Sequence, residues 1–497
     1  MELGFDNPFL RTICLRVTLA GSARSVPEVV PNWSPRMRRF QVWIAAGVLT
    51  AVLVMPRSAE AQGFSVNEQS SCAMGRGGTG VASPCADGSA IFFNPAGLIL
   101  EKGKGVVSGG ATMIRAKGDF TNSTTGEISS LVEETHPVPS VYVGYGLSDK
   151  ATIGFGIFAP YGLAIEWPED AQGRFLGYFS SVKGIYFQPT FGLKAGKRFS
   201  FGFGLDVTSS SVELKQRVDL ADQLVPGGGG ITFANLGIAY GTDFADVQLK
   251  GSDLSVGFHL GAIAQVTDKL SFGVRYLSKQ TVDVDDGAAT ISQVATNLTL
   301  APNNPLGAPA GTPVDALVAP LFVDGPLIDQ VGTAILPYPA QLNMGLTLQV
   351  TDKLRLLGDV GIQFWEVWET LPLNFSLLGD RTIVESYRNS TSWRLGGEYK
   401  VGSKSTARLG IIAHNAAAPP ETVTPNLPEA ARTEFTAGFG SRFSERFGFD
   451  VAYQYIDQAD RQGRSGDGGL AVPTTALNDG LYTFSANLLG ITLSYSF

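Results

Sequence analysis

Residue types that could carry catalysis or metal binding are few in this chain and lie far apart. The three histidines, His136, His259 and His414, are remote in sequence from each other and from the cysteines. No HExxH motif, phosphate-binding loop or paired CxxC spacing occurs, and no motif pairs a serine with a histidine. The sequence therefore predicts a protein that is not an enzyme and that has no metal site and no cofactor.

One glycine-rich motif needs separate consideration. Residues 75–80 read GRGGTG, which matches the G-x-G-x-x-G fingerprint of dinucleotide-binding folds. That fingerprint binds a pyrophosphate only where a strand precedes it and a helix follows it in a βαβ unit, and no such alternation surrounds these residues. The motif is therefore not interpreted as a nucleotide site.

The composition excludes several classes of protein. Of the 497 residues, 60 are Gly, 30 are Phe and 14 are Tyr, while only 16% are charged. An average soluble domain has about 25% charged residues and about 7% Gly. A chain this aromatic and this poor in charge can bury a core, so disorder is excluded. The net charge of -8 and the pI of about 5.1 argue against nucleic acid as a partner, and a mean hydropathy of +0.11 is too low for a helical membrane bundle.

Only one stretch is continuously apolar. It covers residues 40–55, follows an arginine-rich flank at 36–39 and precedes Ala-Glu-Ala at 59–61, the small-x-small pattern of a signal-peptidase site. The run is shorter than the roughly 20 apolar residues that a transmembrane helix needs. We expect a cleaved secretory signal and a mature chain that begins at Gln62. The alternative is an N-terminal anchor that is retained.

The segment ahead of this signal is unusual, because residues 1–36 have no periodicity. Met37 followed by two arginines would form an ordinary start for a signal peptide. We therefore expect translation to begin at Met37 and treat residues 1–61 as leader and signal peptide.

Apolar residues alternate with small or polar ones along most of the mature chain. This period of two predicts strands with one apolar face, a pattern that a barrel and a β-sandwich would both satisfy. The clearest rows are Val141, Val143, Tyr145 and Leu147; Ile153, Phe155 and Ile157; Phe199, Phe201, Phe203, Leu205 and Val207; Leu254, Val256, Phe258 and Leu260; Leu342, Met344, Leu346, Leu348 and Val350; and Phe447, Phe449, Val451, Tyr453 and Tyr455.

The connections between these rows favour the barrel. Six short polar turns, at 148–150, 196–198, 266–270, 350–354, 402–404 and 444–446, alternate with seven long connections, at about 117–137, 160–181, 214–252, 280–339, 366–390, 414–432 and 457–481. Short turns at one edge and long loops at the other are typical of outer-membrane barrels, whose sheet closes because lipid leaves no partner for a free edge. The prediction is an all-β, 14-stranded antiparallel barrel over residues 104–497.

The carboxyl terminus supports the same class. Ile491, Leu493, Tyr495 and the terminal Phe497 place apolar side chains on one face of the last strand. This ending resembles the signal by which barrel-assembly machinery recognises outer-membrane proteins. That machinery and outer-membrane lipid are therefore the expected partners in a Gram-negative bacterium, with Tyr495 and Phe497 as the assembly signal.

The segment at 62–103 does not alternate and contains three motifs: Gly63, Phe64, Glu68 and Ser70 in a Gly-Phe-x-x-x-Glu-x-Ser pattern, then Gly75-Arg76-Gly77, then Asn94-Pro95-Ala96-Gly97. With these motifs it resembles the start of the FadL-type family of outer-membrane transporters of hydrophobic compounds. Residues 160–164 with Trp167 and Gly173-Arg174-Phe175, residues 336–340, and the run 393–455 resemble the family's barrel. The resemblance covers about 62–497.

The resemblance implies a barrel blocked by an N-terminal hatch at 62–103. Hydrophobic substrate, most of all long-chain fatty acids, would bind among outer loops, pass to an internal site and leave sideways through the barrel wall. The expected protein is a monomer in the outer membrane. Aromatic hydrocarbon uptake is one alternative, and a surface-exposed adhesin or receptor without transport is another.

The resemblance and the apolar loops together give candidate ligand-binding residues. They are Gly63 and Phe64 in the hatch; Leu317, Val318, Leu321, Phe322, Leu327 and Ile328 in one loop; and Leu236 and Ile238 in another. Apolar side chains outside the lipid belt suggest a binding groove, although these loops could instead pack on each other. For a fatty-acid carboxylate, Arg76, Arg174 and Lys183 are the basic candidates, and the sequence does not choose among them; Arg174 is included with the ligand-binding residues.

Three further predictions concern the hatch and the wall. Asn94, Pro95 and Ala96 form the hatch motif, in which Asn braces backbone groups and Pro fixes a turn. The lateral opening is expected at residues 153–160, where Gly154 and Gly156 tolerate a bulge and Pro160 cannot donate to the ladder. Cys72 and Cys85 remain after processing, and in the oxidising periplasm we expect a disulfide between them, with two buried free thiols as the alternative.

Overall fold

The alternating segments fold into long antiparallel strands, whose bounds follow from a computed structural model that describes residues 63–100, 104–463 and 478–497. The predicted signal peptide and the proposed start at Met37 lie outside the described residues. The strands are β1 (Gly105–Asn122), β2 (Ile128–Ser130), β3 (Thr135–Ser148), β4 (Ala151–Glu166), β5 (Phe179–Ala195), β6 (Phe199–Val218), β7 (Ala245–Gln265), β8 (Leu270–Leu277), β9 (Gln280–Gln293), β10 (Gln330–Tyr338), β11 (Gln341–Gln349), β12 (Leu354–Gln363), β13 (Thr370–Phe375), β14 (Gly379–Val384), β15 (Ser390–Lys400), β16 (Ser405–His414), β17 (Arg432–Arg442), β18 (Phe447–Gln462) and β19 (Gly480–Ser496).

Helical structure is confined to short pieces in the described part of the chain. The α-helices are α1 (Ser71–Met74), α2 (Ala90–Phe93) and α3 (Val314–Val318), and 3₁₀ turns occur at Pro95–Leu100, Gln172–Phe175, Ala234–Leu236, Ala319–Phe322, Trp365–Val367 and Pro420–Thr422. None of the helices in the described ranges is long and apolar enough to cross a membrane.

The sheet closes on itself. β1 pairs with β19 from Val106↔Ser496 to Asn122↔Gly480, so the first and last strands are neighbours. β8 continues into β9, and β10 into β11, as single interrupted strands, while β2, β13 and β14 belong to the connections. The described residues therefore form a closed antiparallel barrel of fourteen spanning strands, which confirms the predicted fold class.

Each strand divides its side chains between lipid and interior. On β6, Phe199, Phe201 and Phe203 are exposed on the outer face, whereas Ser200 and Thr208 are buried on the inner face. Side chains that face hydrocarbon must be apolar. The backbone finds no hydrogen-bond partner in hydrocarbon, so its groups are satisfied only by the closed ladder. The outer-facing rows are those that the period of two identified.

The inner face of the wall is closed to solvent at His259. This side chain, on β7, is fully buried. Its Nδ1 lies 3.1 Å from Gln188 Oε1, and Gln188 Nε2 donates to the Ile91 carbonyl of α2. The polar wall therefore faces the N-terminal segment and not water.

The long connections are shorter than predicted, although the six short turns are where the alternation placed them. β6 continues to Val218 and β7 begins at Ala245, so the connection predicted at 214–252 is reduced to 219–244. The connection predicted at 280–339 is also shorter, because its first and last residues form β9 and β10 of the barrel wall. Strands that rise above the lipid carry polar residues on both faces, so the alternation of apolar and polar residues that marks a strand is lost there.

Residues 63–100 lie inside the barrel and are almost entirely buried. A disulfide joins Cys72 to Cys85, with a Cα–Cα distance of 6.3 Å. Arg76 Nη1 forms a buried ion pair with Glu398 Oε1 of β15 at 2.9 Å, and Asp359 of β12 accepts from the backbone N–H groups of Gly80 and Val81. Charged groups from the wall thus hold this segment, which we call the hatch, in the lumen.

Candidate ligand-binding site

Phe64 occupies an aromatic enclosure at the outer surface of the hatch. Its ring centroid lies 6.2 Å from those of Tyr161 and Tyr338, 4.8 Å from that of Trp365 and 5.4 Å from that of Trp368, always edge to face. Gly63, at φ +60°, has Trp365 where a Cβ would project, so the position accepts only glycine. Edge-to-face pairs of this kind each stabilise by about 0.5–1.5 kcal/mol beyond burial.

An apolar cavity of about 80 Å³ lies directly above Phe64. Its lining comes from the walls β4 to β7, from β10, from the β13–β14 hairpin and from the loop before β17, and includes Leu163, Val182, Leu214, Leu249, Leu336, Leu371 and Tyr387. Ligand cavities usually measure about 300 Å³ or more. A lipid-sized ligand therefore requires side chains around Phe64 to move apart.

The hatch residues beside Phe64 complete the barrel wall where β4 leaves β3. The β3–β4 ladder ends at Val141↔Ile157, and the β4–β5 register shifts between Phe158 and Tyr161. The chain at Phe64–Val66 then pairs with β4: the Gly162 N–H donates to the Phe64 carbonyl at 3.0 Å. The Val66 N–H donates to the Pro160 carbonyl at 2.9 Å. β4 no longer pairs with β3 here, and the hatch covers the resulting gap in the wall from inside.

Only part of the predicted opening segment coincides with this break. Pro160 lies at it, but Gly154 and Gly156 lie within regular pairing to β3. A Cβ on Gly154 would come within 2.8 Å of Leu98, and one on Gly156 within 2.8 Å of Ile91. These two glycines make room for the hatch instead of forming a bulge, so their predicted role is corrected.

The start of the hatch is fixed by a buried carboxylate that sequence reasoning missed. Glu429 accepts hydrogen bonds from the backbone N–H groups of Gly63, Ala417 and Ala418. Arg432 Nη2 donates to the Gly63 carbonyl at 3.4 Å. A lone glutamate in a proline-rich loop gives no sequence signal for such a contact, because its partners are remote along the chain.

The basic residues at the cavity are not the predicted ones. Arg76 is paired with Glu398, Arg174 with Asp243 at 2.7 Å, and Lys183 faces outward on β5. The cavity is lined instead by Lys215 at the outer end of β6 and by Arg381 of β14, together with Glu385.

Tyr387 is a further cavity residue that the sequence did not reveal. It is buried between β14 and β15, and its ring lies 6.1 Å from Trp365 and 5.9 Å from Trp368. Burial raises the pKa of the Tyr387 phenol well above its usual value, and the carboxylates of Glu385 and Glu429 act in the same direction. The phenol is therefore neutral and presents an amphipathic surface to the cavity.

The apolar loop residues form a cluster of their own. Val318, Leu327, Leu236 and Ile238 are buried together with Phe233, Phe244 and Val314, and Leu317, Leu321 and Phe322 pack against them. None of these, nor the half-buried Ile328, lines the cavity above Phe64. For these loops the alternative interpretation fits the structure, since they pack on each other.

The hatch motif braces the wall as its residue types suggest. Asn94 Nδ2 lies within 2.7 Å of the Val81 carbonyl and 3.2 Å of the Ala262 and Val274 carbonyls, while its Oδ1 accepts from Ala96. Pro95 and Ala96 pack where Gly202 and Gly261 leave the wall without side chains.

The terminal residue takes part in closing the barrel. The Phe497 carbonyl accepts from Lys104 at 2.7 Å and from Gly105 at 3.0 Å, and the Phe497 ring stacks with Tyr145 and Tyr495. The last strand is thereby fixed to the first one.

A closed fourteen-stranded barrel, an internal N-terminal hatch and an apolar cavity above it define an outer-membrane channel for hydrophobic molecules. The chain belongs to the outer membrane protein transport protein family (OMPP1/FadL/TodX), which matches residues 52–497. It is therefore a bacterial outer-membrane transporter of hydrophobic compounds.

Relatives and solved structures agree with this family. The long-chain fatty acid transport protein of Escherichia coli O6:H1 is 23% identical over 93% of this chain and 100% of the relative. The 47 kDa outer membrane protein of Pasteurella multocida is 24% identical, with 90% and 97% covered. A Pseudomonas aeruginosa FadL homologue superposes with TM-score 0.73 at 20% identity, covering 88% of this chain and 100% of that one. The Pseudomonas putida toluene transporter TodX gives 0.64 at 17% identity, again with 88% and 100% covered.

Proposed function

We propose that this protein is a passive uptake channel for long-chain fatty acids, which bind above Phe64 and leave sideways where β4 separates from β3. The observation that carries the proposal is the double role of Phe64. Its ring closes the bottom of the cavity, and its carbonyl accepts from Gly162 at the break in the wall. A ligand that displaces Phe64 therefore also uncovers the break, so binding and lateral release are coupled.

The lining of the cavity favours an amphiphile. Burial of an alkyl chain is favourable by about 0.8 kcal/mol for each CH₂, which the leucine and valine side chains around Phe64 can supply. Lys215 and Arg381 lie on the same lining, and Lys215 now lies 4.0 Å from Glu213 and over the Phe179 ring. A ligand carboxylate that drew these two side chains from their present contacts would gain charge-assisted hydrogen bonds. An apolar chain with one anionic end matches this combination.

Aromatic hydrocarbons are the second candidate, and the enclosure of Phe64 favours them. Tyr161, Tyr338, Trp365 and Trp368 surround that ring edge to face, and a small aromatic ligand that replaced the Phe64 ring would make the same contacts.

Uptake measurements separate these functions. The chain is expressed in a Gram-negative host that lacks its own channels of this family, and uptake of labelled oleic acid and of labelled toluene is compared with that of the empty host. We expect oleic acid uptake above the background. Toluene uptake alone would replace the proposal by the aromatic alternative. Uptake of neither compound by heat-modifiable, outer-membrane-inserted protein would favour a receptor barrel without transport.

A further inference from the structure

The barrel wall contains a second interruption, between β7 and the interrupted strand β8–β9. β7 pairs with β9 down to Lys250↔Ala288 and with β8 from His259↔Leu277 onward. Within this described part of the wall, residues 251–258 of β7 have no ladder partner on that side, whereas their pairing with β6 is continuous. We call the interval between 251–258 and 278–287 the seam.

Side chains replace most of the backbone pairing at the seam, where one backbone bond remains, from the Ser278 N–H to the Phe258 carbonyl at 2.9 Å. The Asp253 carboxylate accepts from the Leu254 N–H at 2.6 Å and from the Asp283 N–H of β9 at 2.9 Å. Ser255 Oγ donates to Gln280 Oε1 at 2.8 Å. Side-chain bonds of this kind can rearrange by rotation about χ angles, so the seam can part without unzipping the ladders on either side.

The inner side of the seam is filled by two side chains that glycines admit. Val284 lies against Gly251, and Gln280 lies against Gly257, where a Cβ would come within 2.8 Å of Gln280 Nε2. Val284 is buried in the same hydrophobic cluster as Phe64. Leu249 of that cluster also lines the cavity, so apolar surface continues from the cavity to the seam.

The seam lies on the same row of paired residues as the break in β4. Phe158 pairs with Tyr186, Tyr186 with Thr208, and Thr208 with Ser255, so one row of residues joins the two interruptions across the sheet. Val256 and Leu254 are 65% and 71% exposed on the outer face, against 36% for Val207, which pairs with Val256. The outward-facing side chains of Leu254 and Val256 are therefore not covered by a neighbouring strand on the seam side.

Charge distinguishes the seam from the cavity. Asp253, Asp283 and Asp285 lie beside the seam, with Lys279 near them in sequence, and Asp206 lies on the inner face opposite Gly257, close to the guanidinium of Arg275. Asp206 is fully buried, and neither of its carboxylate oxygens has a hydrogen-bond partner within the described residues. The three aspartates beside the seam outnumber Lys279, so this interval disfavours passage of an anion.

We propose that the seam is a second lateral exit, which passes uncharged hydrophobic compounds from the cavity above Phe64 to the outer leaflet, whereas fatty carboxylates use the break in β4. The proposal rests on the proposed transport and assigns a substrate class to each opening. Gln280, whose buried Nε2 has no partner in the described part of the chain, and Val284 are the side chains that must move.

A reversible lock tests the seam. The variant Asp253→Cys with Asp283→Cys places two thiols where a carboxylate now meets a neighbouring backbone N–H. Oxidation is expected to lower toluene uptake towards the background of the empty host, because the seam is the exit for uncharged compounds, with oleic acid uptake unchanged and toluene uptake restored by reductant. Each single variant and the wild type, which retains Cys72–Cys85, receive the same treatment. Unchanged toluene uptake, with the cross-link verified by mass spectrometry, would show that the seam is not a lateral exit.

A second measurement uses the wild-type protein. A long-chain alcohol with a photoreactive diazirine is expected to label Leu254, Val256 or Val284, while the matching fatty acid labels residues around Pro160 instead. Alcohol adducts that are confined to β4 would overturn the seam and leave fatty-acid transport intact. If the wild type takes up no oleic acid but takes up toluene and is labelled at the seam, the proposed fatty-acid transport would be contradicted and the seam would be supported.

Discussion

The backbone N–H of Gly63 donates to the carboxylate of Glu429, 366 residues away, with an N–O distance of 2.6 Å. Glu429 is fully buried and also accepts from Ala417 and Ala418. Since Gly63 directly precedes Phe64, this carboxylate determines where the hatch begins beneath the cavity. The position of the Phe64 ring thus depends on a loop that is remote along the chain.

Glu429→Gln is expected to loosen this attachment. The amide retains one acceptor oxygen but loses the charge, and a hydrogen bond to a charged group contributes about 1.5–3 kcal/mol. Amide hydrogen exchange of residues 63–66 should accelerate, while exchange in the barrel strands stays the same. Glu421→Gln, at an exposed position in the same loop, is the matched control. Equal exchange in the variant and the control would show that Glu429 does not hold the hatch.

Phe64→Ala should strengthen the binding of oleic acid. Truncation removes the ring that Trp365 and Trp368 contact and that a ligand must displace, and buried Phe→Ala substitutions destabilise the packed state by about 3–5 kcal/mol. Tryptophan fluorescence during titration with oleic acid reports binding next to these indoles. Phe201→Ala removes an aromatic ring from the lipid-facing side and should leave the titration unchanged. An unaltered affinity in Phe64→Ala would place the site elsewhere.

The barrel could be predicted from the sequence because its physical constraint is periodic. One face of each strand must meet hydrocarbon, so rows such as Phe199, Phe201 and Phe203 indicate where a strand lies and which of its faces points outward. Phe64 entered the candidate site only through a family resemblance. Lys215 was not identified because it lies on a strand end that rises above the lipid, where neither face is obligatorily apolar.

The candidate residues in the loops do not line the cavity, and the sequence could not reveal this for a different reason. Leu236, Val318 and Leu327 are apolar outside the membrane, which is equally compatible with a groove and with a small core. They are buried against each other and against Phe244, and the sequence contains no signal for that pairing because the loops meet only in three dimensions. Contacts that depend on tertiary approach, including that of Glu429 with Gly63, are outside the reach of periodicity.

Removal of the disulfide should free the hatch without opening the barrel. Cys72 and Cys85 are 13 positions apart, and closing a loop of about 15 residues is worth about 3 kcal/mol. Cys72→Ala with Cys85→Ala is therefore expected to increase hydrogen exchange within residues 72–85. Heat-modifiable migration, which reports the closed barrel, should be unchanged. Wild-type protein treated with reductant under native conditions is the comparison, and identical exchange in all samples would contradict a constraining bond.

Side chains added at Gly154 or Gly156 should collide with the hatch. A Cβ there would meet Leu98 or Ile91 at 2.8 Å, and overpacking of this kind costs about 1–3 kcal/mol. The thermal midpoint should fall in Gly156→Ala and recover when Ile91→Ala is added. Gly109→Ala, which faces open space, is the control. Additive effects in the double variant would show that the glycine does not serve the hatch contact.

The basic residues of the cavity provide the sharpest test of substrate class. Lys215→Gln with Arg381→Gln should reduce affinity for oleic acid by about a hundredfold or more, because each of the two lost charge-assisted bonds is worth about 1.5–3 kcal/mol. Affinity for oleyl alcohol, which has the same chain and no charge, should be unchanged, and fluorescence titration measures both. Arg174→Gln is the informative comparison, since its guanidinium pairs with Asp243 away from the cavity. A selective loss of oleic acid binding in Arg174→Gln, with none in the double variant, would show that Arg174 is the partner of the carboxylate and that Lys215 and Arg381 are not.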